Sequence, residues 1–183
     1  APDDESGSTK EISRGHKILV SDSDLITVTG GKWTTYRKVA EDSLDKVINI
    51  GKLPNKTCST YDLPIHGSVK TNHTDDHLYV YGSDKPKLKK LIDDEPELGE
   101  KIHPNLDFLK VEVLWAARNE MARTVEDVLA RRVRVLFLDA QSSIEMAPEV
   151  AKILAKELNK DKQWEEQQVA DFTELAKGYL IAS

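Results

Sequence analysis

Cysteine is nearly absent: Cys58 is the only one in 183 residues, so the chain can form no internal disulfide and no cysteine-based zinc site. No apolar run approaches the roughly 20 residues of a membrane-spanning helix, and the first residues lack the charged-then-apolar pattern of a secretory signal. Cytoplasmic exposure is the expectation. An excess of positive charge is also missing. The 26 Lys and Arg residues face 32 Asp and Glu residues, and a net charge of −6 gives nonspecific nucleic-acid binding no global electrostatic support. A Gly-x-Gly-x-x-Gly fingerprint occurs nowhere, so these residues contain no dinucleotide-binding strand–turn–helix unit. His73 and His77 have the spacing of a helical ligand pair, but no third ligand accompanies them and the stretch reads as a polar loop. No metal site is expected, no calcium-binding Asp-x-Asp loop follows the later helices, and no internal repeat is apparent.

What is present is a charged, half-polar chain with a strong change of period near its start. Hydrophobic residues make up 39% and charged residues 32%, enough for one good core or two small ones. His16 to Val20 and Leu25 to Thr29 read as two strands around the turn-forming Ser21-Asp22-Ser23-Asp24. From Trp33 the apolar residues fall at Tyr36, Val39, Ala40, Leu44, Val47 and Ile48, one face of a helix reaching about Ile50. Two strands alone are marginal in water, so this β-β-α unit reads as the edge of something larger.

Between strand and helix stands Thr29-Gly30-Gly31-Lys32-Trp33-Thr34-Thr35-Tyr36-Arg37. Two glycines there permit close approach of backbone to a ligand, and the first N–H groups of the helix are expected to point outward unpaired. With the helix dipole they favour negative charge or an electron-rich carbonyl. Lys32 adds a full positive charge, while Thr34 and Thr35 offer hydroxyls for capping or binding. A plain turn before a helix is the structural alternative.

Residues 51–77 contain Gly51, Pro54, Pro64 and Gly67 among polar residues and read as a linker. The rest is helical: Ser83-Asp84 capping a helix through Ile92, then Leu109 to Asn119, Glu120 to Leu129 with Thr124 as a natural cap, Ser142 to about Leu158, and Trp164 to about Leu180. Met121, Val125, Val128 and Leu129 are expected on one inward face, and the apolar run Val133 to Leu138 is expected to be buried. Arg118, Arg123, Arg131, Arg132 and Arg134 alternate with Glu112, Glu120, Glu126, Asp127 and Asp139, which reads as an ion-pair lattice between helices rather than a positive lip for an anion. The expected fold class is α+β: a mainly helical C-terminal bundle (78–183) preceded by a β-β-α fragment (1–50) and the linker (51–77).

Two blocks carry a resemblance. The first is Ile12-Ser13-Arg14-Gly15-His16 followed by the Thr29–Arg37 motif. The second is Glu112-Val113-Leu114-Trp115-Ala116-Ala117-Arg118-Asn119-Glu120-Met121-Ala122-Arg123-Thr124-Val125-Glu126-Asp127-Val128-Leu129-Ala130-Arg131-Arg132. Together, and in this order, they resemble the C-terminal portion of the FAD-dependent glycerol-3-phosphate dehydrogenases. The resemblance covers nearly the whole chain, and a start at Ala1 without methionine accords with a portion of a longer enzyme.

It implies that the first 50 residues form the C-terminal edge of the flavin- and substrate-binding domain. The parent enzyme would oxidise sn-glycerol 3-phosphate to dihydroxyacetone phosphate with FAD and pass the electrons to quinone. By the same resemblance Arg14 and Lys32 are substrate-binding cations, Gly30, Gly31 and Thr34 lie against the flavin, and no catalytic base falls in this chain. A guanidinium at position 14 suits a phosphate because its fork holds two oxygens. The N-terminal FAD domain of the parent chain is the implied partner, with peripheral contact at the inner face of the cell membrane and homo-oligomerisation as further possibilities. Residues 1–183 alone are expected to be inactive and to bind no FAD tightly. A glycerol-phosphate oxidase using oxygen, and a helical partner- or membrane-docking module, are the alternatives.

Overall fold

The structure is a computed structural model, and it describes residues 15–70 and 76–180. The chain divides into two compact units between Ile65 and His66.

In the first unit, β1 (His16–Val20) and β2 (Ile26–Gly30) pair antiparallel with His16 opposite Gly30 and Val20 opposite Ile26. The polar turn between them closes by Ser21 and Leu25 bonding each other, with Asp24 in the left-handed region (φ 61°). Helix α1 (Tyr36–Gly51) follows a three-residue 3-10 turn, Trp33–Thr35, instead of beginning at Trp33. Its half-buried residues include Val39, Val47, Ile48 and Ile50, and the strands contribute Ile18 and Ile26. No described residue of this unit is fully buried. Trp33, expected on the apolar face, is 89% exposed, and Leu44 and Tyr36 are exposed as well.

The second unit owns the core. Helix α2 (Lys85–Asp94) precedes α3 (Lys110–Asn119), a π-helical stretch (Asp127–Arg132), the short α4 (Val135–Leu138), α5 (Ala140–Leu158) and α6 (Lys162–Lys177). Helix α3 is buried on both sides. Val113, Ala116 and Ala117 join Val125, Val128, Leu129, Met146, Val150, Leu154 and Phe172 in the larger cluster, while Val111, Leu114 and Trp115 join Leu78, Leu88 and Leu98 in the smaller. A helix that is apolar nearly all round belongs in the interior, whereas α5 and α6 keep a wet face.

Local chemistry explains where these helices begin. Asp139 and Asp161 accept the N–H groups of Ser142 and Trp164, each at 2.9 Å. Thr124 and Asp127 cap reciprocally: the threonine hydroxyl accepts from Asp127 N–H at 3.1 Å and the carboxylate accepts from Thr124 N–H at 3.0 Å. The helix expected over Glu120 to Leu129 therefore starts only after Thr124. Met121, expected to face inward, sits before that cap with φ 61° and is 80% exposed. The run Val133–Leu138 is likewise divided. Val133, Val135 and Leu136 are buried, but one four-residue helix cannot turn every side chain inward, and Phe137 and Leu138 face solvent.

A buried charge ties the start of the second unit to α3. Glu112, 2% exposed, accepts hydrogen bonds from Leu109 N–H (2.7 Å) and Tyr81 OH (3.0 Å), and pairs with His77 Nε2 (3.0 Å). Burial pushes its carboxyl up from the ordinary value, opposed by those partners. The same desolvation, with the Glu112 charge, raises the Tyr81 phenol. Nearby, Gly82 (φ 50°) has Gly67 O where a Cβ would stand, 1.8 Å from it, so only glycine lets these strands of backbone cross. Ser83 N–H donates to Gly67 O at 3.1 Å and His66 Nε2 meets Asp84 Oδ2 at 2.6 Å beside the crossing.

Glu112→Ala is expected to lower unfolding free energy by about 3 kcal/mol in denaturant titration, because it strands three donors around α3. Asp76 yields a pH-dependent expectation. Lys85, the N–H of Leu78 and Lys89 hold its carboxyl well below the usual range. A depressed carboxyl contributes stability above its unfolded pKa and loses it as pH falls toward the folded value. Asp76→Asn should therefore cost up to about 1 kcal/mol above pH ~5, the pair being partly exposed, and that difference should shrink as pH falls below ~4.

Candidate functional site

The Gly30–Arg37 turn is built by the register of the sheet. His16 pairs with Gly30, and Gly31 N–H donates to Gly15 O at 3.1 Å. Gly30 (φ 80°) has Gly15 O 2.8 Å from the place of a Cβ, and Gly31 (φ 84°) has Val39 Cγ2 at 3.2 Å from its own. The glycines are thus required by the chain's own packing, whatever binds beside them.

Lys32 comes next, extended at φ −134°, ψ 159°, in the N-cap position of the 3-10 turn. Caps are normally Ser, Thr, Asp or Asn, because a side-chain oxygen must accept an exposed N–H. Lysine has no acceptor. Thr35, three residues on, makes the other half of a capping box: its Oγ1 accepts from Lys32 N–H at 3.0 Å and donates to Lys32 O at 2.9 Å. The N–H of Thr35 also donates to Lys32 O, at 2.9 Å.

The expected row of outward N–H groups is therefore shortened. Gly31 spends its N–H on Gly15 O and Lys32 and Thr35 spend theirs within the turn, which leaves Trp33 and Thr34 as the first-turn donors without an intrahelical acceptor. Thr34 is exposed and its hydroxyl bonds nothing among the described residues. Arg14 lies outside the described residues.

Electrostatics separate Lys32 from its neighbours His16, Arg37 and Lys38. Arg37 bonds Glu41 at 2.9 Å, Lys38 reaches Glu41 at 3.2 Å and Asp42 at 2.8 Å, and His16 Nε2 meets Asp42 at 3.1 Å. The hydrogen bonds from Arg37 and Lys38 hold the Glu41 and Asp42 carboxyls low. Arg37 also lies over the Tyr61 ring, 5.4 Å from its centre, and 3.6 Å from Cys58 Sγ. Lys32 has no acidic partner among the described residues and is exposed. Beside it the Trp33 and Tyr36 rings stand 6.1 Å apart, tilted by 34° and open to solvent. Sequence reasoning missed the His16–Asp42 pair and the reach-back of Thr35. The second was signalled by a lysine in the cap position with a threonine three residues later.

The helical unit offers weaker candidates. Four of its five expected lattice arginines are engaged: Arg118 holds Glu157 with two bonds of 2.8 Å, Arg131 pairs with Glu126 and Asp127, Arg132 with Glu120, and Arg123 donates to the carbonyls of Ala117 and Ala122; Arg134 is exposed and does not pair with Asp139, which caps α5 instead. Glu112, expected in this lattice, belongs to the buried His77–Tyr81 network instead. A cleft of about 310 Å³ is lined by His66, Asp84, Lys87, Trp115, Asn119 and Glu120. Its central Asp84 is already satisfied by His66 and by Lys87 at 2.7 Å. No group of three metal-ligating side chains occurs among the described residues. His73 lies outside them, and His77 is taken by Glu112.

Comparison with known proteins decides the family. Residues 22–167 match the C-terminal domain of alpha-glycerophosphate oxidase. The chain belongs to this family. A mitochondrial glycerol-3-phosphate dehydrogenase of Arabidopsis thaliana is 32% identical over 92% of the chain and 32% of its own length. The mitochondrial glycerol-3-phosphate dehydrogenase of Rattus norvegicus is 31% identical over 97% of the chain and 26% of its own length. A probable mitochondrial glycerol-3-phosphate dehydrogenase of Caenorhabditis elegans is 33% identical over 82% of the chain and 24% of its own length. The chain thus spans between about a quarter and a third of these relatives. No solved structure matches it.

The stretch shared with the alpha-glycerophosphate oxidase C-terminal domain includes Gly30, Gly31, Lys32, Thr34 and Thr35 and runs into α6; Arg14 precedes it. Gly30→Ala is expected to open the turn by at least about 1 kcal/mol, since alanine resists the left-handed backbone and its methyl meets Gly15 O. Amide exchange of Lys17 to Thr29 should rise while the exchange of α3 and α5 stays as it is.

Proposed function

We propose that this chain works in sn-glycerol 3-phosphate oxidation to dihydroxyacetone phosphate, within a polypeptide that also carries the flavin-binding portion of the family. Family membership and the naming of its relatives as glycerol-3-phosphate dehydrogenases support the reaction class. The observation that carries the site is Lys32, a cation without an acidic partner, placed where a capping oxygen belongs. A position that breaks a local folding rule is where functional residues are expected.

FAD, when bound, supplies the two-electron acceptor, with quinone as the onward acceptor. The residues of this chain bind and orient. The donors left open at the turn, namely Lys32 Nζ, the Thr34 hydroxyl and the N–H groups of Trp33 and Thr34, suit phosphate oxygens and electron-rich carbonyls. In this reading Lys32 and Arg14 hold the substrate as its cations, and Gly30, Gly31 and Thr34 lie against the flavin. Neutralising a phosphate dianion requires more than Lys32, and in this reading Arg14 is the second cation. Burial of the exposed Trp33, Tyr36 and Leu44 against the flavin-binding portion would then complete a unit that has no fully buried residue of its own. The location proposed is cytoplasmic, with peripheral contact at the inner face of the membrane. No helix among the described residues is long and apolar enough to cross it.

The oxidase reading has its own support, because the matching family is described by an alpha-glycerophosphate oxidase. Hydrogen peroxide formed in step with substrate oxidation would favour it over the dehydrogenase. The site itself is tested by glycerol-3-phosphate-dependent dye reduction, comparing wild type with Lys32→Ala and Arg14→Ala in the polypeptide that carries both portions. Each variant is expected to lose about 2 kcal/mol or more of transition-state stabilisation, roughly thirtyfold in kcat/KM. Variants that match an active wild type would remove both residues from the site; a wild type that ignores the substrate would remove the reaction.

A further inference from the structure

Lysine at a helix cap leaves two problems, one of stability and one of aim. Its backbone N–H lacks a local side-chain acceptor, and its long side chain has four rotatable bonds. Thr35 answers the first through one oxygen and narrows the second by fixing where the side chain starts. The hydroxyl accepts from Lys32 N–H and returns its own proton to Lys32 O, so donor and acceptor of the same residue close on one side chain at 3.0 and 2.9 Å. That reciprocal pair fixes φ and ψ of Lys32 and with them the direction of its Cα–Cβ bond. Thr35 is itself held: it is partly buried, and it is β-branched and so stiff at χ1.

Thr34, by contrast, is the threonine that faces outward. The adjacent pair is therefore divided by the 3-10 turn into one residue directed at solvent and one directed at the cap. We propose that Thr35 is a positioning residue, which touches no ligand and acts by fixing the backbone of Lys32 so that its ammonium is presented to the anionic group of the substrate. This rests on the reading of Lys32 as a substrate-side cation. A residue of this kind works on binding in the ground state and the transition state alike, so its loss raises KM and leaves kcat nearly unchanged.

The test uses the polypeptide that carries both portions, with steady-state kinetics on sn-glycerol 3-phosphate. Thr35→Val, of nearly the same shape without the hydroxyl, is expected to raise KM by about tenfold with kcat within about twofold, the loss of one or two hydrogen bonds. Thr35→Ser keeps the oxygen and should restore KM to within about threefold of wild type. Thr35→Ala is a second deletion of the hydroxyl with the same expected KM, in case valine hinders folding.

The deciding comparison is Thr35→Val in a Lys32→Ala background, where KM should move by less than about twofold because the residue it serves is gone. An equal rise of KM with or without Lys32, or a fall in kcat in place of the KM effect, would overturn the positioning role. If Lys32→Ala is impaired while Thr35→Val and Thr35→Ala behave as wild type, the role of Thr35 fails and that of Lys32 stands. If Lys32→Ala itself keeps the wild-type kcat/KM, the underlying reading fails and the inference with it.

Discussion

The helical unit depends on α3 having no face left for water. Most bundle helices present one stripe to a core, but Val113, Ala116 and Ala117 look into one cluster and Val111, Leu114 and Trp115 into another. Glu112, the most deeply buried acid among the described residues, is tolerated there because the backbone N–H of Leu109, the Tyr81 hydroxyl and the His77 ring converge on it. Those partners belong to segments on the N-terminal side of the helix, so the same carboxylate that would be costly alone fixes the approach of the chain to α3. Packing along α5 and α6 then follows from ordinary amphipathic patterning and from caps at Asp139 and Asp161.

One capping device recurs at two unlike places. Neither Leu109 nor Lys32 has a side-chain oxygen to cap the helix it opens, and in each case a side chain three residues on reaches back to its N–H. At Leu109 the helper is a buried Glu112 and the result is a fixed core. At Lys32 the helper is Thr35 and the result is an exposed ammonium on a fixed backbone. The first is a solution for stability; the second leaves a cation in solvent next to open aromatic rings, which stability alone does not explain. The first unit has no fully buried residue among those described, whereas the second owns the core.

Much of this was legible from the residues. Short polar residues at 21–24 bounded two strands, and the change of period after Gly31 marked the helix that follows. Apolar periodicity placed the later helices, Ser142 to about Leu158 and Trp164 to about Leu180, to within a few residues of α5 and α6. Lys32 stood out by charge and by its place after two glycines, and resemblance gave it and Arg14 a substrate role. What stayed hidden has a common cause. Met121 fits a helical stripe by spacing, yet the break before Thr124 turns it to solvent, and Leu138 continues an apolar run yet is 78% exposed. Periodicity assigns a side to a residue only once the ends of its helix are known.

By itself the sequence determined which elements form and where charge is concentrated, because these depend on neighbours within a turn or two: backbone freedom at Gly30, a threonine three residues after a lysine, a capping oxygen before an apolar stripe. The tertiary structure decided which charges are spent. Glu112 was one acid among several until Tyr81 and His77 came to meet it, and Arg118 was one arginine among several until Glu157 on α5 came within 2.8 Å. Such pairings are settled by distances between side chains on different turns and elements, where a shift of a few ångströms makes or breaks a hydrogen bond, and no local rule of sequence fixes those distances.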